Sequence, residues 1–381
     1  MTTAIRQFRV AAAQIEAVFY DAQANLARIL AAIEEAAAGG ARLVVFSELA
    51  LSGYPFHIWT LSYGEQLPLI TDFYTKAAVE ADGPEMESIR ACCTKNAIRA
   101  VVGFCERDGG SLYMSQWLVG PDGGVVMRRK LRPTSLERIV FGDGDGSDIK
   151  VHKTELGNVG VLQCWEHAQS LLKYAMSSQH EEVHCASWPV FPAELPHHSL
   201  SRESNAALLT AYAIETGTFV VSASSFLTAQ NLEKVFGAKE KVLSTGGGYT
   251  TILDPEGRTL AVAKPDQNEI VYANVDVDLC YKARSVLDPT GHYSRTDVFE
   301  VHFDMTPRHI INIAKPASRS SAPSPDPPLF RQLRRTMFDQ PLAANTHAKR
   351  ASAVSDGVVA AATETKQDGE GADAASAEGS V

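Results

Sequence analysis

The sequence predicts an α/β domain, on three observations. Short apolar runs such as Leu43 to Phe46 and Val159 to Leu162 read as strands covered on both faces; helical stretches with 3.6-residue periodicity alternate with strands; and two further strands, 249–253 and 270–275, read as a pair and suggest a mixed sheet. Taken in order, Phe8 to Gln14 reads as a first strand, and Asn25 to Ala38 as a helix carrying Leu26, Ile29, Leu30, Ile33 and Ala37 on one face. Gly39-Gly40 would end that helix as a C-cap. Leu43 to Phe46 forms the next strand and stops at Ser47-Glu48. A helix over 85–96, a strand over 99–105, a hairpin turn at Pro121 to Gly124 and a strand into Met127 follow. An apolar strand, Val159 to Leu162, then delivers Cys164 to a helix running to about Ser178. A strand over 183–188, a helix over 201–216 and a strand over 218–222 continue the alternation.

From about Ala317 the composition turns to Pro, Ser, Ala and Gly, with four of the eighteen prolines between Pro323 and Pro328. Such a segment buries too little apolar surface to offset chain entropy. The expected organisation is therefore a domain over 1–316 and a mostly disordered tail over 317–381, with Leu329 to Phe338 docking locally. A length of 381 residues is compatible with one large core. The net charge of −10 leaves no basic field for nucleic acid or an anionic membrane surface. No stretch reaches the roughly 20 apolar residues of a membrane span, the N-terminus lacks a signal pattern, and six cysteines without a C-x-x-C pair suggest reduced core thiols. A cytoplasmic protein is expected.

Three strand ends carry reactive side chains: Glu48, Lys130 and Cys164. Residues just beyond the C-termini of strands in α/β sheets gather at one rim, so a base, a cation and a nucleophile can meet there. Cys164 at the start of a helix is expected to be a thiolate, favoured by unpaired N–H groups and the positive end of the helix dipole. Glu48 can take the thiol proton and later activate water, and Lys130 can stabilise developing negative charge. Singly, such residues are ordinarily a buried thiol and solvated charges. Their shared position after apolar strands sets them apart.

The blocks Phe46-Ser47-Glu48-Leu49-Ala50-Leu51-Ser52-Gly53-Tyr54-Pro55, Arg129-Lys130-Leu131-Arg132-Pro133-Thr134-Ser135-Leu136-Glu137-Arg138 and Cys164-Trp165-Glu166-His167 resemble the three signatures of the carbon–nitrogen hydrolase superfamily, in its nitrilase branch. The runs 141–148, 183–189 and 288–295 extend the likeness, which spans about residues 7–310. The resemblance implies a four-layer αββα sandwich and a Glu48, Lys130 and Cys164 triad. It implies a second glutamate, Glu137, that holds Lys130 or shares in proton transfer, the alternative being a salt bridge supporting its loop. It further implies dimers that pair through the helix after the cysteine and build spiral homo-oligomers, and chemistry requiring no metal or organic cofactor. Tyr54, Thr134 and Trp188 are candidate pocket walls, and Trp165 and Glu166 are expected to position the nucleophile. His292 is a candidate for the pocket or for a filament contact.

The implied reaction is hydrolysis of a nitrile through a cysteine thioimidate and then a thioester. Ser47 and Gln163 stand where many relatives carry proline and asparagine, so substrate range does not transfer directly. Aromatics at Tyr54, Phe56 and Trp59 favour arylaliphatic and aliphatic nitriles over bare cyanide, with some amide released if the tetrahedral intermediate expels the thiol. A cyanide-degrading enzyme or an aliphatic amidase is the alternative within the superfamily. From another class, His180-Glu181-Glu182-Val183-His184 matches the H-E-x-x-H zinc-peptidase pattern, which works only on a helix. Here the second histidine reads as part of a strand. An assembly protein keeping the scaffold without the chemistry is disfavoured by the intact triad. Asp143 to Asp148 lacks the glycine and glutamate of a calcium loop and reads as a tight turn, and Gly246-Gly247-Gly248 lacks the Lys-Ser/Thr of a phosphate loop.

Overall fold

Alternation of side chains along the central strands decides how the layers stack. In the computed structural model, which describes residues 6–191, 197–236 and 243–308, the strands are β1 Gln7–Gln14, β2 Ala41–Val45, β3 Arg99–Asp108, β4 Ser111–Val119, β5 Val125–Arg129, β6 Val151–Thr154, β7 Gly157–Gln163, β8 Val183–Ser187, β9 Phe219–Ala223, β10 Thr251–Leu253, β11 Thr259–Val262 and β12 Glu269–Asp276. The helices are α1 Ala22–Ala38, α2 His57–Thr60, α3 Tyr63–Asp72, α4 Pro84–Lys95, α5 Ser170–Ser177, α6 Arg202–Thr216, α7 Ala229–Phe236 and α8 Asp278–Arg284. Ala11, Ala13, Val44 and Phe46 pack outward with Ile29, Ile33 and Ile89 of α1 and α4. Their neighbours Val10, Ala12, Leu43 and Val45 face the other way, against Val159, Val161, Val183 and Val221 of the second sheet. On its far face that sheet sets Leu162, Ala186 and Val220 against Leu172, Met176, Leu209 and Tyr212 of α5 and α6. The result is the expected αββα sandwich.

Among the described residues each sheet has six strands, in the orders β12-β1-β2-β3-β4-β5 and β11-β10-β9-β8-β7-β6. Read from β12 and from β6, both run antiparallel, parallel, parallel, antiparallel, antiparallel. This topological repeat has no counterpart in the sequence. The strands expected at 249–253 and 270–275 both exist but are not partners. β10 pairs with β9 and β11, whereas β12 pairs with β1 in the other sheet. Both sheets are mixed, as expected of one.

Local chemistry explains the helix ends. Asp21 caps α1 by accepting from the Ala24 N–H, Ser201 caps α6 in the same way, and Gly217 ends α6 at φ +60°. α4 begins with Pro84, carries Glu85 and Glu87 in its first turn and ends on Lys95, in keeping with the helix dipole. The chain divides into Met1–Ile310 and Ile311–Val381. The tail expected from residue 317, with its docking stretch, lies outside the described residues.

One glycine connects this architecture to the rim where Glu48 sits. A Cβ on Gly103, within β3, would stand 2.6 Å from the Ser47 carbonyl oxygen and 2.7 Å from the Leu49 nitrogen. Backbone atoms cannot swing aside as a side-chain tip can. Gly103→Ala is therefore expected to cost about 1–3 kcal/mol by overpacking and to lower activity beyond the loss of folded protein. Thermal unfolding and rates per folded molecule check both parts, and an unchanged melting temperature with full activity would contradict the close approach.

Candidate active site

Three chain reversals just past strand ends build the site, and each contains a non-glycine residue at positive φ: Leu49 (53°), Ser135 (46°) and Cys164 (50°). Such conformations cost energy and persist where surrounding contacts enforce them. Glu48 follows β2, with its N–H donating to the Trp188 carbonyl across the sheet interface at 3.0 Å. Lys130 follows β5, and Cys164 opens a five-residue 3-10 turn, Cys164–Ala168, directly after β7. All are buried, as is Glu137.

The expected convergence is present. The Lys130 Nζ donates to Glu48 Oε1 at 2.9 Å and to Glu137 Oε2 at 2.8 Å. Among the described residues, Glu48, Glu137 and Cys164 bring one carboxylate oxygen or sulfur each within 4.8 Å of one another. The two alternatives for Glu137 turn out to coexist. Its Oε2 also accepts from the Thr134 N–H at 2.6 Å, closing a capping box on the turn Ser135–Ile139, and its Oε1 accepts from the Tyr54 hydroxyl at 2.6 Å. Tyr54 in turn accepts from Trp59 Nε1 at 3.0 Å.

Charge counting explains the protonation states. One ammonium faces two carboxylates, and ionising both would leave a net negative charge in a dry site. Burial works against the charge on Lys130, but Glu137 and Glu48 outweigh it and hold its pKa well above 10.5. Among the described residues, Glu137 is satisfied by three donors, whereas Glu48 has the lysine alone and its buried Oε2 has no hydrogen-bond partner. Burial, with Glu137 and Glu166 adding repulsion against the opposing pull of Lys130, pushes Glu48 up to about 8. The ion pair and the raised carboxyl are therefore consistent: the proton goes to the less-bonded partner.

The thiolate expectation needs correction. Burial and the Glu48 and Glu137 carboxylates hold the Cys164 pKa well above 9.0, although Lys130 and the Trp165 N–H pull the other way. The element after Cys164 is a single 3-10 turn separated from α5, too short to supply a full helix dipole. The balance of these effects favours the thiol over the thiolate. Among the described residues, one oxygen of Glu48 and one of Glu137 lie within 4.8 Å of the sulfur.

A cavity of about 30 Å³ opens beside Cys164, lined by Tyr54, Phe56, Trp59, Thr134, Glu137, Trp165, Pro189, Val190, Phe191 and Leu200. The candidate walls Tyr54 and Thr134 line it, and so does Trp165, which was expected to position the nucleophile. Trp188 does not: its ring stacks on His167 at 4.9 Å behind the nucleophile, because β8 sends the following residues, 189–191, to the wall instead. His292 lies on an exposed turn 3.6 Å from Asp288 and outside this cavity lining, which leaves the filament contact as the remaining alternative for it. Pro189, Val190, Phe191 and Leu200 were missed as lining; the apolar run after Trp188 was the available signal.

Glu166 anchors the turn. Arg128 grips it at 2.6 and 2.7 Å, and its oxygens also accept from the N–H groups of Leu131 and Gln163. Gln116 links Arg128 to Ser187, which donates to the Phe46 carbonyl, so one buried chain spans both sheets. The H-E-x-x-H pattern is not a zinc site: His180 is exposed in a turn, while His184 is buried on β8 and bonded to Glu181 at 2.7 Å. Asp143 to Asp148 is a turn whose acids bind Arg132, the Ser147 and Arg308 N–H groups, and the Arg129 N–H. At Gly247 a Cβ would press on the Phe191 carbonyl oxygen at 2.6 Å, the close packing that explains a glycine in this run.

Comparison with known proteins gives the family. The carbon–nitrogen hydrolase family model matches residues 9–285, and the chain belongs to that family. Within it, the branch is that of the nitrilases. The chain is 39% identical over 314 residues to an aliphatic nitrilase of Rhodococcus rhodochrous, covering 81% of this chain and 85% of that protein. It is 41% identical to a bromoxynil-specific nitrilase of Klebsiella pneumoniae subsp. ozaenae (77% and 84% covered) and 38% identical to an arylacetonitrilase of Aspergillus kawachii (77% and 90%). In structure it resembles a carbon–nitrogen hydrolase of Helicobacter pylori, with a TM-score of 0.62 at 18% identity over 76% of this chain and 96% of that one.

The state of Glu48 has a consequence for stability. Its folded pKa near 8 lies above the ordinary 4.5, so the folded protein holds a proton that the unfolded chain releases. That contribution is fully present below pH 4.5 and is lost as pH rises through about 8. Relative to Glu48→Gln, the wild type should lose stability across this window, with a slope of at most about 1.4 kcal/mol per pH unit. Urea midpoints of both proteins at a series of pH values test it, and parallel curves would mean that Glu48 carries no extra proton.

Proposed function

We propose that this protein hydrolyses organic nitriles, arylaliphatic and aliphatic, to the carboxylic acid and ammonia. The observation that carries the reading is the buried cluster of Cys164 thiol, Glu48 with an unpartnered oxygen, and the Lys130 ammonium held by Glu48 and Glu137. Named nitrilases among the relatives support the same reading.

In the proposed mechanism Glu48 acts in its ionised form. Its Oε2 takes the Cys164 proton as sulfur bonds to the nitrile carbon, and the proton passes to the nitrile nitrogen, leaving a thioimidate. Glu48 then removes a proton from water as it adds to that carbon, and Lys130 stabilises charge in the tetrahedral intermediate. Glu48 hands that proton to the nitrogen, the new hydroxyl gives its own proton to the nitrogen as the C–N bond breaks, ammonia departs, and a thioester remains. A second water, activated by Glu48, releases the acid and restores the thiol. The sum is one nitrile and two waters giving one acid and one ammonia. Breaking the C–S bond of the first tetrahedral intermediate instead would release amide. Glu137 fixes Lys130, and Tyr54 joins the cavity wall to that pair.

A cavity of about 30 Å³ has room for the cyano end of a substrate, roughly the share of one water. The substituent must therefore find space among the half-buried Trp59, Trp165 and Leu200 at the rim. Apolar walls favour a hydrocarbon or aryl group there over the bare cyanide of the alternative reading.

The finer assignments belong to the same proposal. Leu171 on α5 and Ile214 on α6 expose 70% and 45% of their surface, which supports homodimers joined through these helices and longer oligomers built from them. Six unpaired cysteines support a reducing, cytoplasmic setting. The catalytic domain is read as 1–316, with 317–381 an appended tail.

Ammonia release from phenylacetonitrile, a short aliphatic nitrile, cyanide and the matching amides, with Cys164→Ala alongside, tests the assignment. Organic nitriles should be turned over by the wild type, and the variant should lose at least about 10³-fold. Turnover of amides or cyanide alone would move the enzyme to a neighbouring branch, and activity in the variant would remove the nucleophile. Leu200→Ala is expected to raise kcat/KM for phenylacetonitrile relative to the short nitrile by about tenfold, the usual effect of a few methylene-sized volumes in an apolar site. An unchanged ratio would take Leu200 out of the substrate's path.

A further inference from the structure

Behind the nucleophile lies a buried chain of polar groups that the proposed mechanism does not use. The carbonyl oxygen of Cys164 is 2.7 Å from His167 Nδ1, His167 Nε2 is 2.8 Å from His184 Nε2, and His184 Nδ1 is 2.7 Å from Glu181 Oε1. Tyr212 of α6 donates to the other Glu181 oxygen at 2.7 Å, and Thr218 and Arg284 donate to the Glu181 carbonyl. His167, His184, Glu181 and Tyr212 have no exposed surface. A Cβ on Gly160 of β7 would collide with the Glu181 carboxylate, so the fold leaves a place for that group.

The acceptors fix the protons. A carbonyl can only accept, so Nδ1 of His167 carries hydrogen. Each ring-to-ring and ring-to-carboxylate contact needs one proton too, or two lone pairs would face each other. Three contacts need three protons, whereas two neutral imidazoles supply two. The third lies between His184 and Glu181, and it makes the group neutral overall, as burial requires. Burial and His184 both hold the His167 pKa well below 6.5, in line with a neutral first ring.

Resting on the assignment of Cys164 as nucleophile, we propose that His167, His184 and Glu181 form a proton-holding brace that sets the Cys164–Trp165 peptide and so aims the sulfur. The carbonyl of this peptide is bound by His167, while its Trp165 N–H faces the Cys164 sulfur. Cys164 sits at φ +50°, a conformation that needs outside support. The brace ties it to β8 and α6. These are positioning residues, since none of them reaches the cavity.

Replacement at Glu181 separates a held proton from mere packing. In Glu181→Gln an amide N–H supplies the third hydrogen to His184 and the amide oxygen still accepts from Tyr212; in Glu181→Leu neither happens. Steady-state kinetics on phenylacetonitrile and the rate of Cys164 alkylation by iodoacetamide, read by mass spectrometry, are measured on full-length protein. Glu181→Gln should keep kcat within about threefold of wild type. Glu181→Leu should lose about tenfold or more in kcat at nearly constant KM, the consequence of leaving a buried partner unbonded, with alkylation slowed in parallel. Equal losses in both variants would make the carboxylate charge the operative feature and overturn the proposal, as would full kcat and alkylation rate in Glu181→Leu. If that variant does not fold, His167→Asn and His167→Leu decide: the asparagine keeps an N–H toward the Cys164 carbonyl and should be faster by about tenfold, and equal rates overturn the brace. Activity in Cys164→Ala under the same assay would instead sink the nucleophile assignment, a separate failure.

Discussion

A lysine ammonium with no exposed surface has to be paired, and the rest of the site follows from how Lys130 is paired. Desolvating it alone would cost several kcal/mol, so the fold supplies Glu48 from one strand end and Glu137 from a capped turn. Two carboxylates for one ammonium is one too many. The surplus negative charge leaves a proton on Glu48, the partner with a single donor. In the proposed mechanism, a carboxyl with an ordinary pKa would be a feeble base toward the buried Cys164 thiol; one raised to about 8 is better matched to accept its proton and return it. Structural and chemical demands bear on the same three groups.

Precision of that kind requires the two sheets to be fixed against each other at one end. Apolar contacts between β1, β2, β7, β8 and β9 hold the sheets face to face, but they are non-directional. Direction comes from polar ties at the rim: Glu48 N–H to Trp188 O, Ser187 to Phe46 O, Gln163 to Met114 O, and the Arg128–Glu166 pair. Each joins a segment of one sheet to a segment of the other. Glu166 thus does for Cys164 what Glu137 does for Lys130. In both, a carboxylate three residues into a turn closes a capping box and receives a buried cation.

Much of this was legible because strand periodicity and strand ends are local signals. Apolar runs located β2, β7 and β8, and the polar residue ending a run located Glu48 and Cys164. Pairing across long separations was not legible. Nothing near residues 249–275 says that β10 and β12 join different sheets, since partner choice is set by the layers already formed. Trp188 was misassigned for a related reason: a one-residue change along an extended segment reverses the side chain's direction, and sequence fixes such phase only approximately. The thiolate expectation failed on magnitude. A short turn's dipole is worth tenths of a kcal/mol, whereas full burial beside two carboxylates works the other way with greater force.

The motif His180 to His184 shows how the same residues acquire a different chemistry from their backbone. On a helix, two histidines four apart would face one ion. Here the chain turns at His180, which has φ +59°, and enters β8, so the exposed ring and the buried ring diverge. Glu181 then points inward to the space above Gly160, and His184 meets it. A carboxylate that on a helix could have served an ion instead serves an imidazole, and through His167 the backbone of Cys164. Since that backbone is strained, the energy holding it must come from neighbours that are themselves immobile. Buried, fully bonded groups on β8 and α6 meet that condition better than side chains at the cavity mouth, which must move to admit a substrate.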